Sequence, residues 1–244
     1  MAVEKRKHIC YNILVKSSSV AVAFLTVAVS LFIGRGITAK KGIEVSSAVH
    51  NAKTVIIDAG HGGFDGGAVA KDGTVEKEIN LSIAKKVKQI LLFNGYNVIM
   101  TRNSDVATNS LDGSIASKKK SDLKNRLELM NKHKSAVYVS IHLNKFTTSA
   151  AYGAQVFYSK NFEEAKELGQ SIQNSIVSLL QKDNKRAIKQ GTKSTYLLYN
   201  ATVPAVIVEC GFLSNNAELE MLKDKTYQSK MAFAVSSGII NYKG

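Results

Sequence analysis

The stretch Thr54-Val-Ile-Ile-Asp-Ala-Gly-His-Gly-Gly63 decides the fold. Its first half is a short β-branched run, which is typical of a strand that is buried on both faces. Its second half is rich in glycine, so the backbone can bend sharply where it leaves the strand. The stretch therefore predicts a buried strand that ends in a tight loop, and this loop carries His61.

Beyond this strand, apolar runs alternate with segments of helical periodicity. Further strands are predicted at residues 97–101, 137–142, 154–158, 196–199 and 205–209. Helices are predicted at residues 79–93, 123–133, 162–182, 216–223 and 226–241. This alternation predicts an α/β fold, a single-domain sandwich in which helices flank a mostly parallel, twisted sheet.

The composition suits one globular domain with a sizeable core. The chain has 244 residues, of which 45% are hydrophobic, and this excludes disorder as the dominant state. With 17 Gly, 1 Pro and 2 Cys, it is neither collagen-like nor a disulfide scaffold. The net charge of +14 favours anionic partners. Nucleic acid is the disfavoured one, because Trp is absent and aromatic residues do not interleave with basic ones.

The N-terminal region predicts a membrane segment ahead of the globular domain. Residues 1–16 are basic, residues 17–34 are uncharged and apolar, and residues 35–53 read as a linker to a domain at 54–244. An uncleaved anchor is favoured over a signal peptide, because no strong small-x-small cleavage site follows. Either reading, anchored or secreted, places the domain on the outer face of the cytoplasmic membrane.

The two cysteines predict neither a disulfide nor a nucleophile. Cys10 precedes the apolar segment and Cys210 follows it, so the two would lie on opposite sides of a membrane. Cys210 is expected to be a small buried residue. A cysteine hydrolase would need His133, His61 or His142 as its base, and this alternative is disfavoured.

Charged and metal-ligating side chains stand at three predicted strand ends. His61, His142 and Glu209 each follow an apolar run, and the carboxyl ends of parallel strands form the ligand-binding edge of such sheets. Two histidines with one carboxylate and an open position form a common catalytic zinc site. The carboxylate is either Glu76 or Glu78, which point about 200° apart at a helix start. Each residue alone is more often structural, and only the coincidence favours a metal.

Two further features have open interpretations. The polar segment 103–121 predicts a long loop, either functional or a simple insertion. Arg102, Arg126 or the cluster Lys118–Lys120 could attract the carboxylates of an acidic polymer, although a solvated face is the favoured interpretation.

At these residues the sequence resembles the zinc N-acetylmuramoyl-L-alanine amidases of bacterial cell walls. The resemblance covers about residues 54–240 and rests on five motifs in order: Asp58-Ala-Gly-His-Gly-Gly63, Asp65-Gly-Gly67, Glu76-Lys-Glu-Ile-Asn-Leu81, Ser140-Ile-His-Leu-Asn144 and Val208-Glu-Cys-Gly-Phe-Leu-Ser-Asn215. It implies that His61, Glu76 and His142 hold Zn²⁺ and that Glu209 is catalytic. The choice of Glu76 over Glu78 rests on this resemblance. Cys210 and Leu143 depart from the more common Val and Ala of the family.

The resemblance also implies a substrate and a reaction. Family members hydrolyse the amide between N-acetylmuramic acid and L-alanine in peptidoglycan, so its stem peptide and glycan strand are the expected partners. One membrane segment with no wall-binding repeats is similar to the spore-cortex members, which prepare the cortex for muramic-δ-lactam formation. The alternatives are a vegetative autolysin, a catalytically silent wall- or protein-binding module, and a zinc peptidase. The sequence specifies no protein activator.

Overall fold

The computed structural model describes residues 53–110 and 112–244, in which strands and helices alternate as predicted. The strands are β1 (Thr54–Ala59), β2 (Asn97–Met100), β3 (Val137–Asn144), β4 (Gln155–Tyr158), β5 (Lys189–Gln190) and β6 (Ala205–Phe212). The helices are α1 (Glu76–Phe93), α2 (Ile115–Lys132), α3 (Glu163–Leu179), α4 (Tyr196–Tyr199), α5 (Asn216–Lys223) and α6 (Lys225–Asn241).

The six strands form one mixed sheet in the order β2-β1-β3-β6-β4-β5. All neighbouring pairs are parallel except β4 and β6, which run antiparallel. The α/β prediction with a mostly parallel sheet is therefore confirmed. Because β1, β3 and β6 are parallel neighbours, their carboxyl ends reach the same edge of the sheet.

Helices cover the sheet on both faces. One face packs against α1, α3 and α6, in a core that includes Ile83, Ile141, Ile172 and Val208. The other face packs against α2 and α4 around Tyr138. Successive side chains of a strand point to opposite faces, so His142 and Glu209 point to the second face, opposite to Ile141 and Val208.

The predicted strand at residues 196–199 is wrong, because this segment forms α4, a single helical turn. A strand would send Leu197 and Leu198 to opposite faces. In the helical turn both are buried in the core that lies under α2. The edge position beside β4 is instead taken by the short strand β5, which sequence analysis did not find.

The long loop predicted at 103–121 is shorter in the structure, because α2 begins at Ile115 rather than near Leu123. The side chain of Ser114 caps the helix by accepting a hydrogen bond from the backbone N–H of Ser117. The first turns of α2 are rich in lysine and face solvent, so they lack the apolar periodicity by which a helix is recognised in a sequence.

The predicted membrane segment at 17–34 lies outside the described residues, as do the basic segment 1–16 and all but the last residue of the linker 35–53. Within residues 53–110 and 112–244, no helix has both the length and the apolar character that crossing a membrane requires.

Candidate metal centre

The ends of two neighbouring strands place His142 and Glu209 side by side. The two residues are paired in the register of β3 and β6, and the register shifts immediately beyond them. Both side chains point away from the face that carries α1 and α6. The sheet edge therefore presents an imidazole and a carboxylate together, as the strand-end prediction expected.

His61 lies in the loop that follows β1 and has an unusual backbone. Its φ is +62°, and it is the only non-glycine residue with a positive φ in the described part of the chain. Its ring Nδ1 lies 2.8 Å from Oδ2 of Asp65. This contact directs Nε2 of His61 toward Glu76, whose Oε2 lies 3.3 Å away.

Glu76 is the first residue of α1, and its buried carboxylate is held from several sides. Oε2 accepts a hydrogen bond from the Ala68 backbone N–H at 2.8 Å, and Oε1 accepts from the Leu143 backbone N–H at 3.1 Å. Asn80, one helical turn later, donates to Oε1 from its amide at 3.1 Å. The partial positive charge of the helix N-terminus adds to this stabilisation of the ionised carboxylate.

His61, Glu76 and His142 form a cluster that could hold a metal ion. Each offers one ligand atom, and these three atoms all lie within 4.8 Å of one another. Nδ1 of His142 lies 3.0 Å from Oε1 of Glu76, and the two imidazole rings pack edge to face with centroids 4.9 Å apart. Two imidazoles with one carboxylate are a donor set that suits a divalent transition metal.

Glycines leave room for these ligands. A Cβ on Gly60 would lie 2.3 Å from Cε1 and Nε2 of His142, so this edge of the ring packs directly on the backbone and Nδ1 faces the cluster. A Cβ on Gly67 would lie 2.6 Å from both Oε2 of Glu76 and Cδ2 of His61. Gly60 and Gly67 thus permit a close approach between the backbone and the candidate ligands that any other residue would block.

The metal-free cluster has strongly perturbed acidities. Burial alone would lower the pKa of His61, but hydrogen bonds and charge from Asp65 and Glu76 outweigh it and raise the pKa to about 9. Burial alone would raise the pKa of Glu76, yet His142 and His61 hold it well below its usual range. The carboxylate is therefore ionised and ready to act as a ligand.

Glu209 differs from Glu76 in that its carboxylate lacks partners. Its Oε2 is buried and accepts no hydrogen bond from the described residues. Burial raises the pKa of Glu209 to about 7, with a further rise from the charge of Glu76 that the two histidines oppose. A carboxylate oxygen that is buried beside the cluster of His61, Glu76 and His142 and left unpaired is free to exchange a proton with a reactant.

The cluster opens into a cleft of about 230 Å³. Its walls include Leu123 of α2 and Leu197 of α4, and Lys119 of α2 stands at its rim. Nζ of Lys119 lies 2.9 Å from Oδ1 of Asp65, the carboxylate that also contacts His61. Lys119 belongs to the lysine cluster Lys118–Lys120 noted in the sequence, and it contacts the candidate metal centre through its ion pair with Asp65.

For Arg102 and Arg126, the interpretation as a solvated face is wrong. The two residues are 3% and 2% exposed, so they do not form part of a solvated surface. Arg126 forms ion pairs with Asp58 and Asp122, and Arg102 donates hydrogen bonds to backbone carbonyls. Their burial depends on contacts far apart in sequence, which composition and local pattern do not reveal.

The structure also places the residues that were considered as alternatives. Glu78 is exposed, whereas Glu76 joins the cluster. Cys210 is fully buried, as expected, and burial raises the pKa of its thiol far above its usual range. The thiol is therefore protonated near neutral pH and unsuited to act as a nucleophile.

Sequence reasoning gave no role to two residues that orient the cluster, Asp65 and Asn80. Both lie within quoted motifs, and both have a detectable signal. Asp65 follows His61 by four residues in a glycine-rich loop, and Asn80 follows Glu76 by one helical turn. Partners of this kind commonly orient the ligands of a metal.

Comparison with known proteins places this geometry in a family. Residues 55–241 match the family model described as N-acetylmuramoyl-L-alanine amidase. The germination-specific N-acetylmuramoyl-L-alanine amidase of Bacillus subtilis (strain 168) is 36% identical over 194 residues, which cover 79% of this chain and 80% of that protein.

Solved structures show the same fold. The CwlD amidase from Clostridioides difficile, solved in complex with the GerS lipoprotein, is 42% identical with a TM-score of 0.75, and the match covers 78% of this chain and 98% of that one. An N-acetylmuramoyl-L-alanine amidase from Clostridium difficile 630 is 34% identical with a TM-score of 0.69, covering 80% of this chain and 100% of that one.

Proposed function

Because the chain belongs to the N-acetylmuramoyl-L-alanine amidase family, we propose that it is a zinc-dependent amidase of the spore cortex. The family membership makes it an enzyme that acts on the amide between N-acetylmuramic acid and L-alanine in peptidoglycan. The observation that carries the proposal is the cluster of His61, Glu76 and His142 beside the unpaired carboxylate of Glu209.

In this proposal Nε2 of His61, Nδ1 of His142 and the carboxylate of Glu76 hold the zinc ion. When bound, zinc supplies a Lewis acid that polarises the amide carbonyl and makes water a stronger acid. Asp65 holds His61 in one orientation through Nδ1, and the backbone N–H groups of Ala68 and Leu143 hold the carboxylate of Glu76. The ligands are thus positioned before substrate arrives.

Glu209 is the proposed general base and acid. Its buried Oε2 accepts the proton of the attacking water and then donates it to the nitrogen of the departing L-alanine. No hydrogen bond from the described residues competes for Oε2.

The spore-cortex role is supported by the relatives. The germination-specific amidase of B. subtilis and the CwlD amidase of C. difficile both match nearly the whole described part of this chain. We therefore propose that this enzyme acts in cortex maturation, where removal of stem peptides precedes muramic-δ-lactam formation. A vegetative autolysin with the same activity is the second candidate. Because CwlD was solved with the GerS lipoprotein, a lipoprotein partner is part of the proposal.

The proposed location is the outer face of the cytoplasmic membrane. The basic residues 1–16 followed by the apolar residues 17–34 support an N-terminal anchor, and residues 35–53 would link it to the catalytic domain. The basic excess supports binding to an acidic wall polymer: residues 53–244 hold 26 Lys and Arg against 17 Asp and Glu.

The test uses the full-length chain in detergent on intact peptidoglycan. We expect newly freed L-alanine amino termini, and we expect a chelator to abolish their release. Glu209→Gln should bind zinc normally and lose turnover by at least a hundredfold, consistent with the usual scale of general acid–base catalysis of about 10²–10⁴. Glu220→Gln, which changes an exposed carboxylate on α5, is the matched control.

Three results would contradict the proposal. Release that persists in the chelated enzyme would exclude the zinc mechanism, and full turnover by Glu209→Gln would exclude the role of that residue. Zinc binding without release, with or without an added lipoprotein partner, would favour a catalytically silent binding module instead.

A further inference from the structure

Two buried arginines donate hydrogen bonds to the backbone carbonyls of the loop that carries His61. The carbonyls of Ala59, Gly60 and His61 are three in succession, and each accepts a hydrogen bond from a guanidinium. Arg102 lies just after β2 and Arg126 lies in α2, so two different elements supply the guanidiniums.

Arg102 donates from Nε to the Ala59 carbonyl at 2.9 Å and from Nη2 to the Gly60 carbonyl at 3.0 Å. It also donates to the carbonyls of Lys77 at 2.8 Å and Ser104 at 3.1 Å. Its four hydrogen bonds go to four different backbone carbonyls. The guanidinium thus pairs with backbone carbonyls alone, and it connects the His61 loop to the first turn of α1.

Arg126 reaches the same loop from α2. It donates from Nη1 to the Ala59 carbonyl at 3.1 Å and from Nη2 to the His61 carbonyl at 2.9 Å. Its remaining contacts are with the carboxylates of Asp58 and Asp122. These two carboxylates balance its charge, so Arg126 brings little net positive charge to a site that would hold a metal cation.

The loop needs such support because its conformation is costly. His61 has a φ of +62°, a region that costs a non-glycine residue about 1–2 kcal/mol. Gly62 and Gly63 follow with φ values of +139° and +54° and add no rigidity of their own. The carbonyls leave the sheet here, and without the guanidinium donors only that of Gly60 would keep a side-chain donor, the amide of Asn80 at 3.3 Å.

We propose that Arg102 and Arg126 are positioning residues for zinc: they clamp the carbonyls of residues 59–61 and so hold His61 in the backbone conformation from which it can act as a ligand. This inference rests on the proposed zinc site. It assigns the two guanidiniums to the metal ligand rather than to substrate, since the protein already uses four of the five N–H donors of each.

The test compares Arg102→Lys with wild type in the full-length chain. Lysine keeps the charge, but its single ammonium group cannot replace the planar fork that spans two carbonyls. We expect zinc affinity, measured by competition with a chelator, to fall tenfold to a hundredfold, the scale seen when partners of metal ligands are removed. We also expect faster amide hydrogen exchange at residues 60–63 in the zinc-free protein. Arg126→Lys should behave in the same direction.

A matched control separates positioning from general destabilisation. Leu168→Ala opens a cavity in the core under α3 and destabilises the fold without touching the loop. At a temperature where all variants are folded, it should keep wild-type zinc affinity and wild-type exchange at residues 60–63. Equal loss of affinity in Leu168→Ala, or unchanged exchange in Arg102→Lys, would overturn the clamp. Failure of the wild-type chain to bind zinc would instead contradict the proposed function.

Discussion

Asp65 lies 2.8 Å from Nδ1 of His61, and this contact decides which nitrogen of the ring faces the candidate metal centre. The other carboxylate oxygen of Asp65 lies 2.9 Å from Nζ of Lys119. A carboxylate that holds the far nitrogen of a metal-ligating histidine fixes its tautomer and makes it a stronger ligand. Lys119 in turn fixes the carboxylate, so α2 contributes to the centre without supplying a ligand.

Asp65→Asn should weaken zinc binding without removing a ligand. The amide keeps the shape of the side chain, but it loses the charge that favours a donating Nδ1–H on His61. We expect zinc affinity to fall by about 10–100-fold, measured by chelator competition. Asp72→Asn is the control, because Asp72 lies on the surface and pairs with Lys223. Equal affinities in the two variants would show that Asp65 does not orient the ligand.

Substitution of the two glutamates in the Glu76-Lys-Glu78 motif should have opposite effects on zinc binding. Glu76 is buried, and its carboxylate oxygens lie 3.3 Å from Nε2 of His61 and 3.0 Å from Nδ1 of His142, whereas Glu78 is exposed. Glu76→Gln should therefore abolish stoichiometric zinc binding, because a neutral amide is a poor ligand for zinc. Glu78→Gln should retain full zinc content, measured by elemental analysis of the purified chain. Loss of zinc in Glu78→Gln alone would reverse the assignment.

The convergence of His61, His142 and Glu209 could be predicted from the sequence. All three follow apolar runs, and the carboxyl ends of parallel strands meet at one edge whatever the details of packing. The choice between Glu76 and Glu78 could not be made from spacing, because it depends on how α1 is rotated against β3. The resemblance to a family selected Glu76, and the structure places that residue in the cluster.

The buried arginines and the α4 turn show where local patterns fail. A charged side chain is usually exposed, but Arg102 and Arg126 are buried because they pair with loop carbonyls far away in sequence and, for Arg126, also with the carboxylates of Asp58 and Asp122. The segment Tyr196-Leu-Leu-Tyr199 is too short to show a period, so its apolar character alone fits a strand and a helical turn equally well. Both outcomes were decided by tertiary contacts.

Gly67→Ala should damage the metal centre more than a glycine's backbone conformation alone would explain. Gly67 and Gly73 both have positive φ, +72° and +88°, so alanine at either position pays a similar conformational cost of about 1–2 kcal/mol. A Cβ on Gly67 would also lie 2.6 Å from Glu76 and His61, whereas nothing lies within 4 Å of a Cβ on Gly73. We expect Gly67→Ala to lose zinc affinity in chelator titrations and Gly73→Ala to keep it. Similar affinities in both variants would mean that the ligands tolerate displacement.

The buried carboxylate of Asp58 makes the stability of the fold depend on pH in the acid range. Burial alone would raise the pKa of Asp58, but the charge of Arg126 and hydrogen bonds from Ser140 and Thr101 hold it well below its usual range. Since the pKa is lower in the folded state than in the unfolded one, the contribution to stability is present above about pH 4, the ordinary pKa of Asp. This contribution is lost as the pH falls toward the pKa that Asp58 has in the folded state.

Asp58→Asn should therefore cost stability in a pH-dependent way. At pH 7 the variant leaves Arg126 with Asp122 as its one remaining carboxylate partner, and we expect the free energy of unfolding of the zinc-free chain to fall by about 3–5 kcal/mol. Below about pH 4 the gap between wild type and variant should narrow, because protonation removes the same charge from the wild-type side chain. Denaturant unfolding from pH 7 to pH 2 measures this gap, with the exposed Asp183→Asn as control. A gap that stays constant across this range would show that the ionised form of Asp58 contributes nothing, and that the variant is destabilised by the shape of its side chain alone.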